Sequence, residues 1–396
     1  MFRLTGSRLR RTRGRLSGCA RLGLVVLALG PIGVARSTPS LPRSDAQVLA
    51  ELPVGARHES APARELTRSR LDIALPLAQF YVSRARASGD LRYLGYADAL
   101  LQPWLRQAPV APAVLVLEAT ILQSRHAFGA ALDQLELALQ AQPDNAQAWL
   151  TRATVLRVQG RYTEAMAACV HLAAQADAAI TELCRQSVAG LTGNLRAAYA
   201  AIAALPRQGL ASEARAWRYS ELGEMAERLG DDAAAEHWFT EALQLAPEDF
   251  YMRAACADLL LRHARAAETL QLLAGYESME PMLLRIVIAR QLLGDSHGAQ
   301  DRAMLSGAFE VEQQRGEAVH RREQARFLLD IAQQPEEALS AAQDNWRVQR
   351  EPDDVLILLR SAQAAHHPEA AAPALAFLQQ QHLEDVRLEP YRRALR

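Results

Sequence analysis

Few residues in this chain have a type and spacing that could do chemistry. His320 and Glu323 lie three apart, which puts them on one face of a helix. One imidazole and one carboxylate are too few for a metal centre, and no second pair repeats the spacing. They read as a hydrogen-bonded surface pair, and no metal or cofactor is expected. The same stretch, HRREQAR, places Arg322, Glu323 and Arg326 at i, i+1 and i+4. NWRVQREPDD follows with Arg350, Glu351 and Asp353, and with Trp346 nearby. Two readings are open for these charges. They form a solvated or salt-bridged helix face, or His320, Arg322, Glu323, Arg326 and Arg350 make a charged recognition surface. His366 and His367 precede Pro368 in a turn and read as solvated. The chain has no GxSxG, HExxH, P-loop or GxGxxG motif. A hydrolase hidden in the irregular 281–396 half would need a nucleophile–base pair or paired carboxylates, and neither pattern is present. The expectation is a protein that is not an enzyme.

The elements that must position these residues are helical. Half of the 396 residues are hydrophobic, only 6% are aromatic, and no alternating β-branched stretch is long enough for a strand. Ala119 and Ala153 are 34 apart, as are Leu122 and Leu156, Ala131 and Ala165, and Leu135 and Cys169. Seventy residues on, Trp149 maps to Tyr219, Ala153 to Gly223, Gly160 to Gly230 and Ala165 to Ala235. One more step of 34 takes Gly223 to Ala257. Such a period predicts helical hairpins, here helix A and helix B, stacked in a row. Small residues fall where the helices cross, and large ones such as Leu115, Leu156, Tyr162, Leu222 and Phe239 fill the interior. Gly160 and Gly230 suit the turn after helix A, while Pro143 and Pro247 stop helix B.

Three segments, 112–145, 146–173 and 216–249, resemble tetratricopeptide (TPR) repeats closely. The third keeps nearly every hallmark, with Tyr219 where the family most often has Trp; the first departs at His126, where Gly is usual. The resemblance implies an all-α, right-handed superhelical solenoid. Degenerate hairpins at about 66–105, 177–205, 250–275, 281–314, 320–351 and 353–381 bring the total to about eight or nine, with a capping tail to Arg396. The expected divisions are a solenoid with its clearest repeats over 66–275 and degenerate hairpins over 276–396, with Gly275–Glu280 as the best hinge. Helix A lines the concave side of such stacks, so Trp217, Glu224, Arg228, Tyr251, Asp258 and Arg262 are candidate groove residues. Trp217 and Tyr251 stand out as aromatic anchors. The groove type that clamps acidic peptide termini uses Lys and Asn; this chain has no Lys. Cys169 falls on helix B of one repeat and Cys184 on helix A of the next, so a bridge and two packed thiols are equal alternatives.

The first 35 residues read as a signal peptide: seven Arg and no acid, then a short apolar run from Leu22 to Ala35 broken by Gly30 and Pro31. That run is too short for a stable membrane span. Residues 36–65, with four Pro, read as a flexible linker. Removing residues 1–35 takes the formal charge from −1 to −8, and no basic stripe remains for nucleic acid. The expectation is therefore a periplasmic, non-catalytic scaffold. Its groove would hold a protein or peptide partner in envelope assembly or secretion. The alternative is an accessory subunit of a polysaccharide or cell-wall system.

Overall fold

The computed structural model describes residues 67–206, 208–295, 298–314 and 320–395. The expected signal peptide (1–35) and linker (36–65) lie outside the described residues. Everything described is helix, turn or coil, and eighteen helices pair into nine antiparallel hairpins. The first three are α1 (Leu71–Ser88) with α2 (Arg92–Leu105), α3 (Pro112–Ser124) with α4 (Phe128–Ala141), and α5 (Ala146–Val158) with α6 (Tyr162–Leu172). Next come α7 (Ala178–Ala189) with α8 (Leu195–Ala204), α9 (Ser212–Leu229) with α10 (Asp232–Leu245), and α11 (Phe250–Arg262) with α12 (Ala266–Leu272). The last are α13 (Glu280–Leu293) with α14 (Gly298–Gln314), α15 (Arg321–Asp330) with α16 (Pro335–Trp346), and α17 (Pro352–Ala364) with α18 (Ala372–Gln381). A short α19 (Glu389–Ala394) follows.

Local chemistry sets the helix ends. Asn145, Asp177, Asp231 and Asp249 cap α5, α7, α10 and α11 by accepting from backbone N–H groups of the first turn. Pro112, Pro335 and Pro352 occupy first helical positions, where the missing N–H costs nothing. Small residues do sit at the crossings: Ala119, Ala131, Ala165 and Ala235 are fully buried. At Gly223 the tight approach comes from Phe239 rather than Ala235. A Cβ at Gly223 would stand 2.3 Å from the Phe239 ring. The core runs unbroken across Gly275–Glu280, because Ala254, Ala257, Leu273, Met279, Met282 and Ile286 form one cluster.

The chain does not run out as an open superhelix with a cap at its far end. The first hairpin comes back against the sixth, α1 touching α11, and the Gly89 turn meets Met279. The C-terminal hairpins then turn inward. One core cluster joins Leu156, Tyr162, Cys169 and Val188 to Trp346, Leu358, Phe377 and Leu388. The A–B turns of four successive hairpins form a ledge for this returning chain. At the His126 turn, Gln349 bonds to the imidazole at 3.1 Å. Gly160 lies under Phe377 and Arg350, Gly193 under His382, and Gly230 under Val386. Gly160 has φ +72, and an added Cβ would come within 2.8 Å of Phe377, so only glycine suits both the turn and the close approach. Backbone pairing reinforces the seam: Arg350 N–H donates to Val158 O at 2.8 Å, and Leu195 N–H donates to Glu384 at 2.9 Å. The expected polar cap is thus a packed tail, with Leu383, Leu388 and Leu395 buried against the body.

Candidate functional site

The helical period puts Glu221, Glu224 and Arg228 on one face of α9, with Glu227 beside them. Helix α5 adds Arg157, and α11 adds Tyr251, Asp258 and Arg262. Opposite this face stand Arg322 and Arg326 of α15 and the acidic start of α17. That start is Glu351-Pro352-Asp353-Asp354, in which Glu351 and Asp354 form a reciprocal capping box. Carboxylates in a first turn also favour the positive end of the helix dipole. The turn at Val386–Leu388 supplies Arg387 from the tail. The two regions that the sequence offers as separate surfaces therefore meet as two sides of one interface inside the molecule.

Most charges there are matched. Arg157 Nη1 donates to both Glu221 oxygens at 2.8 and 3.1 Å, and Trp217 Nε1 donates to Glu221 at 3.0 Å. Glu227 accepts from Arg262 and, at 3.0 Å, from Arg387. Arg387 also pairs with Asp385 at 2.7 Å and Asp353 at 3.0 Å. Arg322 meets Glu351 at 3.2 Å and Asp354 at 3.3 Å. Asp258 is held between Arg285 and Arg326, both at 2.5 Å.

A cavity of about 40 Å³ remains at the centre. Arg157, Tyr162, Glu224, Arg228, Tyr251 and Asp353 are among its lining residues. It has room for a few waters or the end of one polar group. Two of its charges lack ion partners. Arg228, 4% exposed, donates through Nη2 to Gly190 O at 2.9 Å, while its buried Nη1 has no hydrogen-bond partner. Burial pulls the Arg228 guanidinium below its ordinary value. Glu224, one helical turn away, has no ion pair within 4 Å among the described residues. Burial, then Glu221, Glu351 and Asp353, push Glu224 up to about 8 against the pull of Arg157. Burial likewise lifts Asp354 to about 6, although Arg322 opposes it. Asp353, facing Arg387 and Arg322, is held low despite burial. The Tyr251 phenol is raised, chiefly by Glu224.

The structure distributes the anticipated groove residues unevenly. Tyr251 is 43% exposed and stands at the mouth of the cavity. Arg228 is interior, and Asp258 and Arg262 are engaged in ion pairs. Trp217 is wedged between two core clusters, so it is a packing residue rather than an open anchor. His320, Arg322 and Arg326 do not form a surface, because their side chains are 18%, 21% and 20% exposed. Glu323 faces inward beside Arg322, Arg285 and His320, which hold its carboxyl low despite burial. The Arg350 guanidinium lies over the Trp346 ring at 5.5 Å, and its carbonyl accepts from the Tyr162 hydroxyl. A disulfide joins Cys169 and Cys184, whose Cα atoms are 5.6 Å apart. Cys256 is a buried thiol pushed up to about 11 by burial.

Glu221, Glu227, Arg285, Asp385 and Arg387 complete the network and were not singled out by sequence reasoning. The spacing Glu221-x-x-Glu224-x-x-Glu227 is a usable signal, since three acids on one side of a helix demand compensation. Nothing local marks Arg387.

No family model and no curated protein matches the chain. Among solved structures it is similar to pilF of Pseudomonas aeruginosa, with 14% identity over 83% of this chain and 98% of that one, at a TM-score of 0.27. It is similar to PilW, a widely conserved type IV pilus biogenesis factor, with 14% identity over 70% and 97% of the two chains, at a TM-score of 0.30. The Cut9–Hcn1 hetero-tetramer of the APC/C gives 14% identity over 81% and 68%, at a TM-score of 0.39. No helix among the described residues is long and apolar enough to cross a membrane. The 34-residue register, the small residues at the A–B crossings and the stacking of nine hairpins make the described residues an α-solenoid of helical hairpins.

Proposed function

We propose that this protein is an exported, non-catalytic scaffold that holds a protein or peptide partner in the cell envelope. The partner would dock at the mouth of the central cavity rather than along an open groove. One observation carries this reading. Tyr251 stays exposed at the rim of a site that encloses Arg228, whose Nη1 has no hydrogen-bond partner, and the Glu224 carboxyl, which is outside any ion pair. An aromatic rim above an unpartnered guanidinium N–H suits a polar side chain or chain end anchored by a ring. Export is supported by the Arg-rich, then apolar, N-terminal sequence and by a disulfide that an oxidising compartment would keep closed. Catalysis is disfavoured by the lining. Its one serine, Ser187, donates to Leu183 O at 2.8 Å, and no histidine lines the cavity to activate it.

The test is site-specific photo-crosslinking in cells. A crosslinker at position 251 is expected to trap a defined partner, while one at the exposed Val170 is not. Tyr251→Ala should weaken that capture by about 2 kcal/mol, roughly thirtyfold, with the melting temperature unchanged. Equal trapping from both positions, or none from 251, would remove the cavity mouth as the docking site.

A further inference from the structure

Three donor atoms from three separate elements converge at the base of the seventh hairpin. Glu280 is the first residue of α13, Glu312 lies in the last turn of α14, and His320 immediately precedes α15. His320 Nδ1 is 2.6 Å from Glu312 Oε1 and 3.3 Å from Glu280 Oε2. One ligand atom from each residue lies within 4.8 Å of the other two. All three side chains are partly buried, and Glu280 Oε2 is an enclosed acceptor approached only by His320 Nδ1 at 3.3 Å. Glu323, one turn into α15, adds a further carboxylate acting on the same imidazole. The corner is thus well supplied with acceptors.

We propose that Glu280, Glu312 and His320 form a binding site for one divalent transition-metal ion of the zinc class. A zinc ion bound at about 2.0–2.2 Å to nitrogen and carboxylate oxygen sets neighbouring ligands about 3.3–3.5 Å apart in a tetrahedron. The His320–Glu280 separation already has that value, and the His320–Glu312 pair needs to open by under about 1 Å. Three protein ligands leave one position for water. The imidazole argues against calcium or magnesium, which prefer all-oxygen sets.

The rival is a plain histidine–carboxylate cluster with no affinity for metal.

The full chain is titrated with Zn²⁺ and with Co²⁺ by calorimetry at pH 7. The expected result is saturable one-to-one binding. His320→Gln and Glu312→Gln should each weaken binding at least about tenfold, the low end of what even supporting residues cost. His366→Gln with His367→Gln, at a solvated turn, should leave it unchanged. If His320→Gln does not fold by circular dichroism, Glu280→Gln replaces it, since that side chain is one-third exposed at a helix start. Equal affinity in wild type and a folded ligand variant, or no saturable heat, overturns the proposal in favour of the metal-free cluster. The outcome is independent of partner capture at Tyr251.

Discussion

At the scale of single residues, two glycines show how neighbours decide a substitution. A side chain at Gly223 meets the Phe239 ring, whereas one at Gly95 meets nothing within 4 Å. Gly223→Leu is therefore expected to cost about 1–3 kcal/mol through overpacking. Gly95→Ala should gain up to about 1 kcal/mol from helix propensity. Urea denaturation midpoints compare the two directly. Glu224 gives a pH signature. Its carboxyl is raised to about 8 in the folded protein by burial and by Glu221, Glu351 and Asp353, with Arg157 opposing. The folded state then binds more protons than the unfolded state between about pH 4.5 and 8, so this residue makes stability fall as pH rises through that window. Glu224→Gln should flatten that decline, and a pH series of denaturation midpoints reads the difference. An identical slope in the variant would place the carboxyl in a more solvated setting.

At the scale of elements, the tail matters more than its length suggests. Arg387 sits on a single short turn, yet it binds Glu227 of α9, Asp353 of α17 and Asp385 beside it. Its side chain is 12% exposed, and Glu227 and Asp385 are 8% and 0% exposed. Arg387→Ala leaves these acids without their shared cation, and breaking buried pairs in this way costs about 3–5 kcal/mol. Arg387→Met keeps the stem but not the charge. It should lose nearly as much, which separates charge from packing. Solvent-exposed pairs elsewhere, such as Arg161 with Glu164, should change stability by under about 1 kcal/mol when removed.

At the scale of the whole molecule, the third and fourth hairpins share one core with the last two. A linear solenoid frays from its ends, because each repeat touches only its neighbours. Here residues 188 positions apart, Tyr162 and Arg350, are bonded, so the C-terminal hairpins should not unfold alone. Leu156→Ala and Leu358→Ala, both at fully enclosed positions, should each cost about 2–5 kcal/mol and lower the same transition. Native-state hydrogen exchange should show α6 and α17 losing protection together. Separate protection levels for the two would mean that the seam is weak.

The helical hairpins, their turns and their crossings were legible in the sequence because they rest on local rules. A period of 34, glycine after helix A, proline after helix B and alanine at each crossing act within one or two hairpins. The same register puts Glu224, Arg228 and Tyr251 on one side of α9 and α11, because helix periodicity fixes which side they occupy. It could not say what they would face. Arg387 reaches Glu227 of α9 across 160 residues and ties Asp353 to it, and Glu280 reaches His320 across forty, with no period linking them. Superhelical curvature sums small rotations over many hairpins, and where the chain returns depends on that sum and on the apolar faces of α17 and α18 finding the ledge of A–B turns. The sequence alone determined the parts and their local geometry. Only the tertiary structure decided that the groove is filled by the chain's own C-terminal hairpins, because side-chain packing between distant hairpins sets that contact.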